Sequence, residues 1–267
     1  MSYFCGKYPI IERKTLAKGI YSIVVDAPEL AEEAEPGQFA NIGVTGFTLR
    51  RPISICEINK EDGTLRFVFE VRGKGTAELS RYVEGESLDI LGPLGNGFRI
   101  PEGKKIIVIG GGIGTPPLLE IARRTSSLCT AILGFRDYSR IILNDEFEEF
   151  CAKTVVCTDD GSVGFHGMVT QPLAEELKSG DYAEVTLKKG KIALVCACGP
   201  QPMLKAVIKV CEENGVPCQV SLEQRMGCGV GACVVCSCMT VRNGKDYYSR
   251  VCKDGPVFNA EEVKFDG

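Results

Sequence analysis

The chain has 267 residues, 44% of them hydrophobic and 25% charged, enough for two domains and a small appendage. These proportions are ordinary for a folded protein and argue against extensive disorder. A formal net charge of −4, no tryptophan and few aromatics argue against a nucleic-acid partner, which needs a basic surface and stacking side chains. No stretch approaches the roughly 20 apolar residues of a membrane span. The first ten residues have no basic-then-apolar leader, so a cytoplasmic protein without a membrane partner is expected.

From Tyr8 to about Ile100, short runs rich in β-branched and aromatic residues follow one another at 19–26, 38–44, 51–58, 64–71 and 87–91. Gly, Pro, Asn and Asp separate them, a pattern that predicts an antiparallel barrel or sandwich. One helical interruption is expected at 76–83. The glycine-rich stretch 92–103 reads as a domain junction. From Lys104 the rhythm changes: apolar strands at 105–109, 129–135, 154–158 and 192–197 alternate with helical segments at 116–124, 144–151, 168–178 and 202–214. Such alternation predicts a parallel sheet covered by helices on both faces. Beyond Cys218 neither rhythm is clear. The expected division is therefore 1–100, 101–217 and 218–267.

Fourteen cysteines in a chain with no secretory leader do not read as a disulfide framework. Cys56, Cys129, Cys151, Cys157, Cys196 and Cys211 lie in or beside apolar runs, as small buried hydrophobes do. Ligand spacing occurs only at Cys228, Cys233 and Cys236, followed at a distance by Cys252. The pattern C-x₄-C-x₂-C…C is the plant-type signature of a [2Fe–2S] centre. Gly227, Gly229 and Gly231 allow the tight curl and the close approach of peptide N–H groups that inorganic sulfide requires. The competing reading is structural zinc, which prefers paired C-x₂₋₄-C knuckles. Cys238 lies two residues beyond Cys236, a strand-neighbour spacing, so Cys252 is taken as the fourth ligand.

Four further stretches carry candidate chemistry. Arg51 opens a strand, within Arg51-Pro52-Ile53-Ser54, and reads either as a solvated edge residue or as an anion clamp. Gly75-Thr76 follows a strand and precedes a helix, with Thr76 as the expected N-cap. A glycine, a capping hydroxyl and a helix N-terminus suit a pyrophosphate, on which Arg51 would be the second clamp. Gly110, Gly111, Gly112 and Gly114 leave a strong strand in the manner of a dinucleotide loop, but Thr115 takes the place of the last glycine. Cys198-Gly199-Pro200 also follows a strand, and reads as a second such turn or an ordinary Gly-Pro loop. Asp159 and Asp160 could bond a ribose or cap a turn. Arg136 and Arg140 could meet a 2′-phosphate or be solvated, and the lone His166 is expected in a loop without a catalytic role.

Taken in this order, the motifs resemble the ferredoxin–NADP reductase superfamily. With the cysteine segment, the whole chain resembles the electron-transfer subunits of B-type dihydroorotate dehydrogenase. The resemblance implies an FAD-binding β-barrel domain, an NAD-binding α/β domain and a small [2Fe–2S] domain. It implies that Arg51, Pro52, Ile53, Ser54, Val68, Phe69, Glu70, Gly75 and Thr76 bind FAD. The wider superfamily often has an aromatic residue where Ile53 stands, which leaves the flavin's stacking partner open. The implied partner is an FMN-containing catalytic subunit that oxidises dihydroorotate, in a heterotetramer of two plus two. Electrons would then run from FMN through the cluster and FAD to NAD⁺. Two rival readings are a subunit of an NADH-dependent ferredoxin–NADP oxidoreductase or sulfide dehydrogenase, and a zinc-stabilised interaction module.

Overall fold

The computed structural model describes residues 3–178 and 194–265. The first six strands are β1 (Phe4–Ala17), β2 (Ile20–Asp26), β3 (Phe39–Gly43), β4 (Arg51–Asn59), β5 (Thr64–Glu70) and β6 (Ser87–Leu94), of which β3 is buried from Phe39 to Ile42. These strands close into an antiparallel barrel in the order β1-β2-β5-β4-β3-β6, resolving the expected choice between barrel and sandwich. Ile23, Val25, Ile42, Ile55, Phe67 and Ile90 fill its interior. The sequence patterning names no strand at 4–17, yet β1 is the closing element. Its first half pairs with β6 from Phe4 to Pro9, and its second half with β2 from Ile10 to Ala17.

Two helices interrupt the barrel, α1 (Pro28–Glu33) and α2 (Lys74–Leu79). The second corrects the segment expected at 76–83. The N-cap is Gly73, and Thr76 lies inside the first turn, where its hydroxyl accepts from the N–H groups of Arg72 (2.9 Å) and Gly73 (3.2 Å). A hydroxyl that reaches back satisfies amides ahead of the helix, so it does not cap from outside.

The parallel sheet comprises β7 (Ile106–Gly111), β8 (Cys129–Phe135), β9 (Lys153–Thr158), β10 (Phe165–His166), β11 (Leu194–Cys198) and β12 (Cys218–Ser221). The residues 192 and 193 expected to open β11 lie outside the described residues. The helices are α3 (Leu119–Thr125), α4 (Asn144–Phe150), α5 (Thr170–Lys178) and α6 (Gln201–Glu213). Pro116 and Pro117 form a 3₁₀ turn before α3, because neither has an N–H for a regular first turn. Along β7, Ile106 and Val108 face α3, α4 and the barrel, while Ile107 and Ile109 face α5 and α6. Both faces are thus buried, as a parallel sheet requires.

The last segment contains a hairpin of β13 (Ser237–Arg242) and β14 (Lys245–Arg250), then β15 (Val257–Asn259). β15 returns to the large sheet and pairs antiparallel with β12. Among the described residues the sheet order is β10-β9-β8-β7-β11-β12-β15. Phe39 and Leu94 of the barrel share an apolar cluster with Cys236, Val251, Cys252 and Phe258 of the last segment.

The barrel and sheet are clasped by charge. Glu120 on α3 is 1% exposed, accepts from the Ile58 N–H at 3.1 Å and pairs with Arg123 and Arg124. Arg66 on β5 forks onto Glu146 of α4 at 2.5 and 3.1 Å. Replacing Glu120 by alanine leaves the buried Ile58 amide without its acceptor and takes a carboxylate from Arg123 and Arg124, which among the described residues keep only the Ile58 carbonyl and Glu35. The expected loss is about 3 kcal/mol of stability, read from chemical denaturation.

Candidate cofactor-binding site

A cavity of about 260 Å³ opens at the seam of barrel, sheet and last segment. Pro52, Ile53 and Ser54 of β4 and Val68, Phe69 and Glu70 of β5 form one side, with Arg51 and Thr76 at the rim. Ile113, Cys198, Leu222 and Met226 close the other side, and of these sequence reasoning singled out only Cys198. Burial, with Glu223 adding to it, pushes the Cys198 thiol up to about 12, so it stays neutral at physiological pH.

The two neighbouring arginines have different employment. Arg50 forks onto Asp89 at 2.8 and 2.9 Å. Arg51 pairs with no carboxylate among the described residues; its guanidinium lies 4.9 Å over the Phe47 ring and against Gly75, bonding the Leu49 carbonyl. A methyl group at Gly75 would run into that guanidinium. The amides of Lys74, Gly75 and Thr76 precede the first helical bond, Ala77 N–H to the Gly73 carbonyl. An unpaired cation beside free first-turn amides is a fitting cradle for a pyrophosphate.

A second cavity, about 950 Å³, lies along the C-terminal rim of the parallel sheet. β7 has β8 on one side and β11 on the other, so the strand order reverses there, the place where open α/β sheets bind ligands. The turns after β7 and β11 touch glycine to glycine: a Cβ on Gly199 would stand 3.1 Å from Gly111, and one on Gly114 would stand 2.5 Å from the Cys198 carbonyl. Gly111, Gly112, Gly114, Gly199 and Pro200 line the cavity. Gly110 and Thr115 are not among its walls. Gly110 and Gly111 belong to the strand, and Thr115 is buried with its hydroxyl packed against Gly110.

Asp159 and Arg136 line this rim, whereas the Ser162 hydroxyl, and with it the Ser162 N–H at 2.9 Å, holds the Asp160 carboxyl below the ordinary range. His166 is an exposed member of β10, an edge strand where a loop was expected. Arg140 bonds the Lys18 carbonyl at 3.0 Å and pairs with Glu70. Glu70 also binds Arg72 at 3.0 Å; although burial opposes its charge, the two arginines hold its carboxyl below the usual range. Glu70, Arg72, Ile113 and Glu223 line both cavities and form their common threshold.

The cysteine loop lies beside the first cavity. Cys228 Sγ accepts from the N–H groups of Val230, Ala232 and Cys233 at 3.2–3.4 Å, and Cys233 Sγ accepts from Cys228 N–H at 3.4 Å. Burial opposes ionisation of Cys228, but these donors outweigh it and lower the thiol to about 6. Cys252 donates its N–H to Cys236 Sγ at 3.4 Å, and both side chains are buried. Burial and the neighbouring Cys236 push the Cys252 thiol up to about 12. Among the described residues no three acidic, histidine or cysteine side chains gather round a single ion point. The thiols come as two pairs, 228 with 233 and 236 with 252. That donor set fits two irons taking two thiolates each, and suits a tetrahedral zinc poorly. Cys238, on β13, stands opposite Ser249.

Gly229 and Gly231 have φ of +77° and +83°, which the curl of the loop demands. A Cβ on Gly229 would stand 2.7 Å from Asn41 Nδ2 and 3.2 Å from Leu94. The variant Gly229→Ala is expected to cost about 1–2 kcal/mol locally and to reduce iron per chain after reconstitution.

A closed barrel is thus joined at a cavity to a parallel sheet, with two thiol pairs alongside. Residues 223–264 match the family model described as the iron-sulfur cluster binding domain of dihydroorotate dehydrogenase B. The dihydroorotate dehydrogenase B (NAD(+)) electron transfer subunit of Caldanaerobacter subterraneus subsp. tengcongensis is 39% identical over 97% of this chain and 98% of its own. That of Clostridium perfringens is 40% identical over 99% of both. A structure of an NADH-dependent reduced ferredoxin-NADP oxidoreductase, described for flavin-based electron bifurcation, superposes with a TM-score of 0.80 at 32% identity. It covers 97% of this chain and 90% of that one. The chain belongs to the family of dihydroorotate dehydrogenase B (NAD(+)) electron transfer subunits. FAD, a [2Fe–2S] cluster and NAD are the cofactors that go with this family and fold.

Proposed function

We propose that this chain carries electrons from an FMN-containing catalytic subunit, which oxidises dihydroorotate, to NAD⁺, in a cytoplasmic heterotetramer of two copies of each subunit. The observation that carries the reading is the succession of sites: thiol pairs, barrel cavity and rim cavity, the last two sharing a threshold. When bound, the cluster supplies single-electron transfer, FAD pairs the electrons and nicotinamide takes them as a hydride.

The residues divide the work. Cys228, Cys233, Cys236 and Cys252 hold the cluster, the first pair more open to solvent and the second buried. Val234 and Val235 stand exposed beside Cys233 and offer an apolar contact to the partner. Arg51, Gly75 and Thr76 grip the FAD phosphates. Pro52, Ile53, Ser54, Val68, Phe69 and Glu70 wall the isoalloxazine ring, and Phe39 stands between that wall and the cluster segment. Gly111, Gly112, Gly114, Gly199 and Pro200 let the dinucleotide backbone approach the rim, while Cys198 meets it from the flavin side. Gly110 and Thr115 support the turn from beneath. The proposed units are 1–100, 101–217 and 218–267, with β12 and β15 of the last unit completing the sheet of the second.

Protein purified without oxygen is expected to contain one FAD and two irons per chain, and NADH is expected to bleach its flavin band. Flavin without iron would remove the mechanism. The likeness to the ferredoxin-NADP oxidoreductase supports a second reading, in which the partner carries another FAD. Cofactor analysis of the co-purified partner decides between them: FMN supports the first reading and a second FAD the alternative.

A further inference from the structure

β3 presents two kinds of face. Ala40 and Ile42 point into the barrel, while Phe39 joins the apolar cluster that contains Cys236 and Cys252. Asn41 shares the face of Phe39 by the period-two rule, and it is fully buried. Neither its Nδ2 nor its Oδ1 has a hydrogen-bond partner among the described residues. A buried amide left unpaired costs about 1–3 kcal/mol per group, so a position that keeps one needs a reason. Its amide meets the cysteine loop: Nδ2 lies 2.7 Å from where a Cβ of Gly229 would stand. Gly229 adjoins Cys228, and its lack of a side chain opens the loop to that amide. Asn41 is not a wall of the flavin cavity.

We propose that Asn41 is a hydrogen-bond donor to the iron–sulfur centre, its Nδ2 directed to sulfur of the cluster or of the Cys228 thiolate. This rests on the assignment of the cluster to the four cysteines. The backbone N–H groups of Val230, Ala232 and Cys233 already converge on Cys228 from within the loop. Asn41 adds a donor from the barrel, where it pairs in register with Pro52 of the first cavity's wall. Donors to sulfur stabilise the more negative, reduced cluster and therefore raise its potential.

The test compares wild type, Asn41→Leu and Asn41→Ser, each purified without oxygen. Electron paramagnetic resonance of the reduced cluster, redox titration, and iron and flavin content are measured. Asn41→Leu, close in shape but without a donor, is expected to keep iron and FAD. It should shift the cluster's resonance and lower its midpoint potential. Asn41→Ser, which retains a hydroxyl donor, should lie between the two. In cluster-free protein Asn41→Leu should melt no lower than wild type, because it removes an unpaired polar group. A potential and spectrum unchanged in both variants would overturn the proposal, as would loss of FAD with the cluster unaltered. A wild-type protein without iron would instead bring down the cluster assignment itself.

Discussion

Alanine at Cys233 is expected to leave a folded, yellow protein that has lost its iron. Cys233 belongs to the more solvent-accessible thiol pair, where its Sγ accepts the Cys228 N–H and its own N–H reaches Cys228 Sγ. On the proposed ligation one iron would be left with a single protein thiolate, which does not hold a binuclear centre. Cys233 contributes to none of the apolar clusters of barrel and sheet, so folding of those parts should be nearly unchanged. Two assays separate the consequences. Reduction of the flavin by NADH, which needs only the two cavities, should stay within about twofold of wild type. Electron delivery from the partner should fall on the order of a hundredfold or more. Equal retention of both activities, with full iron content, would remove the cysteine loop from the electron path.

The second large effect concerns Arg51. Its guanidinium lies over Phe47 and against Gly75, with no carboxylate among the described residues to neutralise it. A phosphate held there gains a charge-assisted bond worth about 2–3 kcal/mol. Arg51→Ala should therefore raise the Kd for FAD roughly thirty- to hundred-and-fifty-fold. The protein should emerge from purification depleted of flavin yet with its iron in place. Arg50→Ala provides the contrast. Losing the fork to Asp89 should lower stability and leave FAD affinity much nearer to wild type. Fluorescence titration of the flavin-free protein with FAD measures both, and equal losses would mean that the two arginines share one structural task.

Much of this arrangement was legible because it is local. Cys228, Cys233 and Cys236 lie within nine residues, and glycines between them advertise the curl. Short runs rich in β-branched and aromatic residues between turn residues exposed most barrel strands, and apolar runs exposed the buried parallel ones. What escaped has a nonlocal cause. β1 looks charged and irregular because its two halves serve different neighbours, so no single pattern spans it. Thr76 reads as a cap by residue type; only the backbone turn at Gly73 moves it one turn inward. Arg140 invited a role with the nucleotide's 2′-phosphate, and its engagement with Glu70 comes from a residue seventy positions away. Leu222 and Met226 line the first cavity from the chain that follows β12. Asn41 gave no signal at all, since an asparagine in a strand usually faces water.

The return of β15 to the large sheet bears on how the cysteine segment can be used. That segment leaves from the end of β12 and comes back to pair with the same strand, Gln219 to Asn259 and Ser221 to Val257. Both feet therefore stand on one rung of a rigid scaffold, like a handle riveted at each end. A handle of this kind cannot swing out to fetch an electron and carry it back. On the proposed placement, the spacing between cluster and flavin would be set when the chain folds. Grafting residues 223–264 onto another protein would carry the ligands but drop the strand that fixes their feet.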